Sequence, residues 1–192
     1  MVNKIKSNFL NSIELKNKLV EDNELIENLA RISHIIIECY TRGNKVYFCG
    51  NGGSFADAQH LSAELNGRFY FDRPPLEVVL LSSNFSYLTA VSNDYSYEDI
   101  FKREILSSIK DGDVLISFST SGNSKNIIKC IEAIKDKNVK TISFLGNDGG
   151  AISKISQYSI IVSSNNTARI QECHMLMGHS IIEMVEETLF KI

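Results

Sequence analysis

Residues 113–124 read Asp113-Val-Leu-Ile-Ser-Phe-Ser119-Thr120-Ser121-Gly122-Asn123-Ser124, an apolar run that breaks into four hydroxyl side chains around one glycine. The apolar part has the length and character of a short buried strand, which delivers the chain to the carboxyl edge of a sheet. The next stretch, 123–137, reads as a helix, so the hydroxyl residues fall where a helix presents unpaired N–H groups and the positive end of its dipole. An anion can sit there, and Ser119, Thr120, Ser121 and Ser124 can each add a hydrogen bond to it. A serine-rich loop with an ordinary N-cap has the same residues, so the stretch establishes a strand-loop-helix unit before it establishes a ligand.

The same unit recurs on both sides. Short apolar strands are expected over 45–49, 77–81, 113–118, 140–145 and 158–162. Helices are expected over 55–66, 84–91, 100–109, 123–137 and 168–190, with turns at Asn93-Asp94 and around Gly146-Asn147-Asp148. Before them, apolar residues at Phe9, Ile13, Leu19, Leu25, Leu29, Ile32 and Ile36 fall mostly three or four apart. That spacing predicts two amphipathic helices, broken near Glu21-Asp22-Asn23 and ended at Gly43-Asn44. Strands alternating with helices imply βαβ crossovers and an α/β fold: a doubly wound, five-stranded parallel sheet flanked by helices. Ligands of such a sheet bind beyond the carboxyl ends of its strands, where the strand order reverses.

Composition narrows the functional classes. With 192 residues, 43% of them hydrophobic, and only two prolines, the chain reads as one domain over 1–192. Within it, 1–42 would be N-terminal helices serving oligomerisation and 45–190 the α/β core. A net charge of −3 supplies no electrostatic argument for nucleic acid or for a membrane surface. Cys39, Cys49, Cys130 and Cys173 form no paired motif and read as reduced thiols. No apolar stretch approaches a membrane span or a secretory h-region, so a cytoplasmic location is expected.

Several residues can carry chemistry. Gly50-Asn51-Gly52-Gly53-Ser54 lacks the Gly-Lys-Ser/Thr ending of a nucleotide-binding loop, and Phe55 occupies a position where a dinucleotide fingerprint needs a small residue. His60 and Glu64, four apart, share one face of the following helix, either as a plain surface pair or as a functional one. Gln171 and His179, eight apart, also share a face, whereas His174 points roughly 140° away from His179. A glutamate beside a histidine can move a proton between neighbouring carbons of a sugar phosphate. His60, Glu64, Gln171 and His179 can equally hold a divalent metal, and spacing alone does not choose between these roles.

Taken together, Gly50-Asn-Gly-Gly-Ser-Phe-Ala-Asp-Ala-Gln-His60-Leu-Ser-Ala-Glu64-Leu-Asn-Gly-Arg68-Phe69, Asn93-Asp94, Ser119-Thr-Ser-Gly-Asn-Ser124 and Thr167-Ala-Arg-Ile-Gln171-Glu-Cys-His-Met-Leu-Met-Gly-His179 resemble the phosphoheptose isomerase family of the sugar isomerase (SIS) domain superfamily. The likeness runs in order from about Val46 to Val185, and the N-terminal helices match in kind only. It implies a flavodoxin-like three-layer sandwich and a homotetramer with active sites between subunits. The implied reaction converts D-sedoheptulose 7-phosphate to D-glycero-D-manno-heptose 7-phosphate, toward nucleotide-activated heptose for lipopolysaccharide core or capsule.

By the same resemblance Ser119, Thr120, Ser121 and Ser124 grip the phosphate, and Asn51, Gly52, Gly53, Ser54, Arg68, Asn93, Asp94 and Gln171 bind the rest of the substrate. Glu64 becomes the base between C1 and C2, and His179 its acid/base partner on the oxygens. His60, Glu64, Gln171 and His179 become ligands of one zinc ion per subunit. A metal-bound carboxylate is a poorer proton carrier than a free one, so the metal is read as organising the site while Glu64 remains the base. The alternative is a non-catalytic SIS-domain protein that associates with a replication initiator. Such a protein lacks the catalytic pair, which this chain has. Phe55, Asn66 and Cys173 depart mildly from the family pattern, Phe55 beside the sugar.

Overall fold

The computed structural model describes residues 1–190. Lys191 and Ile192, included in the unit expected over 1–192, lie outside the described residues. Two N-terminal helices, α1 (Val2–Val20) and α2 (Asn23–Thr41), break at the expected place, and the Asp22 side chain caps α2 by accepting from the Leu25 N–H at 3.0 Å. Then follow β1 (Val46–Gly50), α3 (Gly53–Asn66), β2 (Val78–Leu80), α4 (Phe85–Asp94), α5 (Ile100–Leu106) and β3 (Val114–Ser119). The chain continues through α6 (Lys125–Ala133), β4 (Lys140–Gly146), β5 (Tyr158–Val162) and the long α7 (Thr167–Phe190).

All strand pairs are parallel and the sheet order is β2-β1-β3-β4-β5, so the expected doubly wound fold is the observed one. Strand alternation divides the core between the two faces. Val46, Phe48, Ile116, Phe118 and Phe144 pack with Ile32 and Ile36 of α2, Leu61 and Leu65 of α3, and Ile182 of α7. Tyr47, Cys49, Leu115 and Leu145 face Phe101 and Ile105 of α5 and Ile127 and Ile131 of α6. All four cysteines are free and buried, and burial pushes the Cys39 thiol up to about 12, with the Asp113 charge adding to the effect.

The element boundaries differ from expectation where local geometry intervenes. Helix α3 begins at Gly53 because Gly52 turns the chain with φ 55°, a conformation glycine adopts without strain. Helix α4 runs on through Asn93 and Asp94, which form its last turn rather than a free loop. Helix α6 is shorter than 123–137: Ser124 stays extended before it and Ile134 leaves helical geometry after it. Helix α5 ends at Leu106, three residues early. No helix among the described residues is long and apolar enough to cross a membrane.

Candidate active site

The chain runs from β1 to β2 on one side and returns to β3 on the other, so the order reverses between β1 and β3, where Gly50 is in register with Phe118. Helices α3 and α6 leave from these two strands, and both N-termini sit at the same sheet edge. Gly122 N–H bonds the Ser119 carbonyl at 3.1 Å, closing a tight turn with φ 65° at Gly122. The loop is pinned from the neighbouring β4 loop: Asn147 donates to the Thr120 carbonyl at 2.9 Å and Ile152 N–H to the Gly122 carbonyl at 2.9 Å.

Ser124 occupies the N-cap position, yet its hydroxyl makes no capping bond; it meets the Ser119 hydroxyl at 2.9 Å. Ser124 is therefore the N-cap by position, while its side chain is turned to another partner. The N-cap side chain thus leaves the first-turn N–H groups of α6 to other partners, and a helix N-terminus with two hydroxyls beside it is an arrangement that suits an oxyanion.

The second part of the site is made by α3 and α7. His60 and Glu64, one turn apart, place Nε2 and Oε1 3.0 Å apart. His179 arrives from α7 with its Nε2 3.2 Å from His60 Nε2 and 3.4 Å from Glu64 Oε1. The three ligand atoms lie within 4.8 Å of one another, a candidate metal centre. The second carboxylate oxygen, Glu64 Oε2, is buried with no hydrogen-bond partner among the described residues. A buried, unpaired carboxylate oxygen is costly unless something outside the chain meets it. The Phe69 ring stacks on the His179 imidazole at 5.8 Å between centroids.

Gln171 lies beside this cluster rather than in it. It shares a surface depression with Lys16, Asp57 and His179, and its Nε2 donates to Asp57 Oδ2 at 3.5 Å. Burial pushes the Asp57 carboxyl above its usual range, against the opposing pull of Gln171 and His60. His174 points away from the site, as its spacing from His179 requires. It is fully buried, its Nε2 bonds the Leu145 carbonyl at 3.0 Å, and burial lowers its pKa to about 4.

The match of the SIS domain family model to residues 8–146 covers well over half of this fold. The chain is 44% identical over 190 residues to the phosphoheptose isomerase of Clostridium acetobutylicum, covering 99% of this chain and 97% of that one. The chain belongs to the phosphoheptose isomerase family of SIS-domain proteins. It is also 46% identical over 186 residues to phosphoheptose isomerase 2 of Campylobacter jejuni, covering 97% and 92% of the two chains. The solved phosphoheptose isomerase of Francisella tularensis superposes with a TM-score of 0.92 at 33% identity, over 97% of this chain and 98% of that chain.

Against this family background the candidate residues separate into groups. His60, Glu64 and His179 converge, Gly53 and Gln171 adjoin them, and Ser119 and Ser124 meet in the loop after β3. Asn51 is held between Tyr97 and Asn126, and Ser54 is buried in the first turn of α3. Arg68, Asn93 and Asp94 are exposed; Asn93 and Asp94 bond each other at 2.9 Å, and among the described residues none of the three is tied to the triad. Phe55 lines a cavity of about 180 Å³ with Asn51, Ser82 and Tyr97 beside the glycine turn.

Sequence reasoning missed a buried support. Glu186 of α7 accepts from the N–H groups of Phe69, Tyr70 and Phe71 and from Arg73 Nε at 3.0 Å, while Arg73 donates to the carbonyls of Glu64 and Leu65 at the end of α3. Burial works to raise the Glu186 pKa, but these four donors outweigh it and hold the carboxyl below its ordinary range. Nothing in the spacing of Arg73 and Glu186 signals the pair.

Proposed function

We propose that this chain is a sugar-phosphate isomerase that interconverts D-sedoheptulose 7-phosphate and D-glycero-D-manno-heptose 7-phosphate. The observation that carries the reading is the meeting of Glu64, His60 and His179 within 3.4 Å of one another, with Glu64 Oε2 buried and without a hydrogen-bond partner among the described residues. The phosphate is held by Ser119, Thr120, Ser121 and Ser124 with the α6 N-terminus, and the sugar by Asn51, Gly52, Gly53, Ser54, Arg68, Asn93, Asp94 and Gln171.

The Glu64 carboxylate takes a proton from C1 of the ketose, the C1–H electron pair forms the C1–C2 double bond of an enediol, and the carbonyl oxygen on C2 gains a proton. Return of a proton to C2 and loss of the one on O1 leave the aldose. His179 carries the oxygen protons and Glu64 the carbon protons, so one acid/base pair serves both halves with no net gain or loss of electrons. Glu64 is restrained for this work by the Arg73 guanidinium, which accepts no proton and holds the Glu64 carbonyl at 2.9 Å.

His60, Glu64 and His179, with Gln171 alongside, are suited to hold one zinc ion. Their separations of 3.0, 3.2 and 3.4 Å are close to the roughly 3.3 Å between ligands of a tetrahedral site with bonds of about 2.0–2.1 Å. When bound, such an ion supplies Lewis-acid polarisation of a substrate oxygen. The chain is further read as one SIS unit with residues 1–42 serving oligomerisation and 45–190 as core, assembling as a homotetramer in the cytoplasm. Support comes from α1, which buries none of its residues and leaves Phe9, Leu10 and Ile13 exposed. The product would feed nucleotide-activated heptose for surface glycans.

The test is incubation with sedoheptulose 7-phosphate in deuterated water, followed by NMR. Formation of the aldose 7-phosphate carrying deuterium at C2 is the expected result. Absence of any product overturns the reading and favours a non-catalytic SIS-domain binding protein. Chelation followed by return of zinc, with bound metal counted per chain, tests the ion separately.

A further inference from the structure

At the β1/β3 switch point the carboxamides of Asn51 and Asn126 face each other through two hydrogen bonds. Asn51 Nδ2 donates to Asn126 Oδ1 at 3.0 Å, and Asn126 Nδ2 donates to Asn51 Oδ1 at 2.8 Å. Asn126 is 3% exposed and stands in the first turn of α6, two residues beyond Ser124. The direction of both amides follows from the backbone. The Ile127 N–H, shared between the Ser124 carbonyl at 3.1 Å and the Asn126 side chain at 3.0 Å, can only donate. The Asn126 atom facing it is therefore oxygen, which makes Asn126 Nδ2 the donor to Asn51 and the receiving atom of Asn51 its oxygen.

The Tyr97 hydroxyl, 2.7 Å from that same oxygen, donates as well. Both lone pairs of Asn51 Oδ1 are then in use, and one of its two Nδ2 hydrogens is spent on Asn126. Asn51 is left with a single N–H and no capacity to accept.

We propose that Asn126 is a positioning residue of the isomerisation: through Asn51 it presents a donor-only amide to a substrate oxygen that bears no proton, the carbonyl or the enediolate formed from it. The proposal rests on the isomerase reading above, in which Asn51 lines the sugar. A freely rotating amide offers its C=O as readily as its N–H, and a C=O turned toward a carbonyl or enediolate oxygen repels it. An amide locked beforehand needs no reorganisation as negative charge develops, which is where such donors contribute most. The same pair joins the glycine turn to the helix that carries the phosphate loop, so the two ends of the substrate are gripped in one register.

The test combines a double-mutant cycle with an NMR readout. kcat and KM for sedoheptulose 7-phosphate are measured for the wild-type chain, Asn51→Ala, Asn126→Ala and the double variant. Asn126→Ala is expected to lower kcat/KM about ten- to hundredfold, mostly through kcat, with the double variant no worse than Asn51→Ala alone. In the wild-type chain the side-chain amide of Asn51 is expected to be rigid, and in Asn126→Ala mobile. Losses that multiply in the double variant, wild-type kcat/KM in Asn126→Ala, or an equally rigid Asn51 amide without Asn126 each overturn the proposal. A wild-type chain that turns over substrate while Asn51→Ala is unimpaired defeats this proposal alone. A wild-type chain with no turnover defeats the isomerase reading, and the proposal with it.

Discussion

His60 and His179 stand 119 positions apart in the chain, and their Nε2 atoms meet at 3.2 Å. Neither would come near the other without the parallel seating of α7 against α3, which sets Gly53 beside Gln171 and Leu61 against Gly178; α3 supplies His60 and Glu64, and α7 supplies His179. Glu64 is the least exposed member, with 17% of its side chain accessible against 55% for His60 and 37% for His179. The carboxylate sits at the bottom of the cluster and the imidazoles line its opening.

Replacing that carboxylate by its amide preserves shape and removes the base. Glu64→Gln is expected to lower kcat by about 10²–10⁴-fold while leaving sedoheptulose 7-phosphate binding measurable by calorimetry. An active Glu64→Gln enzyme would remove Glu64 from the proton-transfer role.

Gly53 is tested by adding one methyl group. A Cβ there would collide with the Gln171 carboxamide, the far end of a flexible side chain that can swing aside. Gly53→Ala is expected to keep or slightly raise the thermal midpoint, since alanine favours helix, and to raise KM about tenfold through the displaced Gln171. Unchanged KM would show that Gln171 does no work on the substrate.

The Arg73–Glu186 pair should dominate stability. Each side chain is 1% exposed, and Glu186→Ala leaves a buried guanidinium and three backbone N–H groups without their carboxylate. The expected cost is about 3–5 kcal/mol in urea denaturation. The loss should also loosen Phe69 from His179, and so reduce activity below the denaturation threshold.

His174 sets an acid-side dependence. Its pKa, 6.5 in an open chain, is lowered to about 4 by burial, against the smaller opposing effect of the Leu145 carbonyl. Between those two values the unfolded chain binds more protons than the folded one, so stability falls as pH drops from about 6.5 toward 4 and is untouched by this residue above that window. The loss reaches about 3 kcal/mol at the low end. His174→Gln keeps a donor for Leu145 but does not titrate, and its thermal midpoint should vary less between pH 4 and 7.

Apolar alternation and glycine punctuation were enough to read five parallel strands and the two N-terminal helices from sequence, because these depend on spacing along a single element. Helix periodicity likewise paired His60 with Glu64 and set Gln171 and His179 on one face with His174 turned away, all as observed. The ends of α4 and α6 were not readable, since they depend on backbone angles at Tyr95, Ser124 and Ile134 that the local periodicity does not set.

Sequence by itself determined the order of elements, the residue types available at the sheet edge and the resemblance that gave them roles. The packed fold added that His179 closes on His60 and Glu64, that Ser124 turns its hydroxyl to Ser119 instead of capping α6, that Asn126 pairs with Asn51, and that Arg73 and Glu186 tie the end of α3 to α7. The physical reason is distance along the chain. Helix and strand periodicity act over a few residues, whereas these contacts join residues 75 to 119 positions apart, or depend on one rotamer chosen against a neighbour, and only the packed fold sets them.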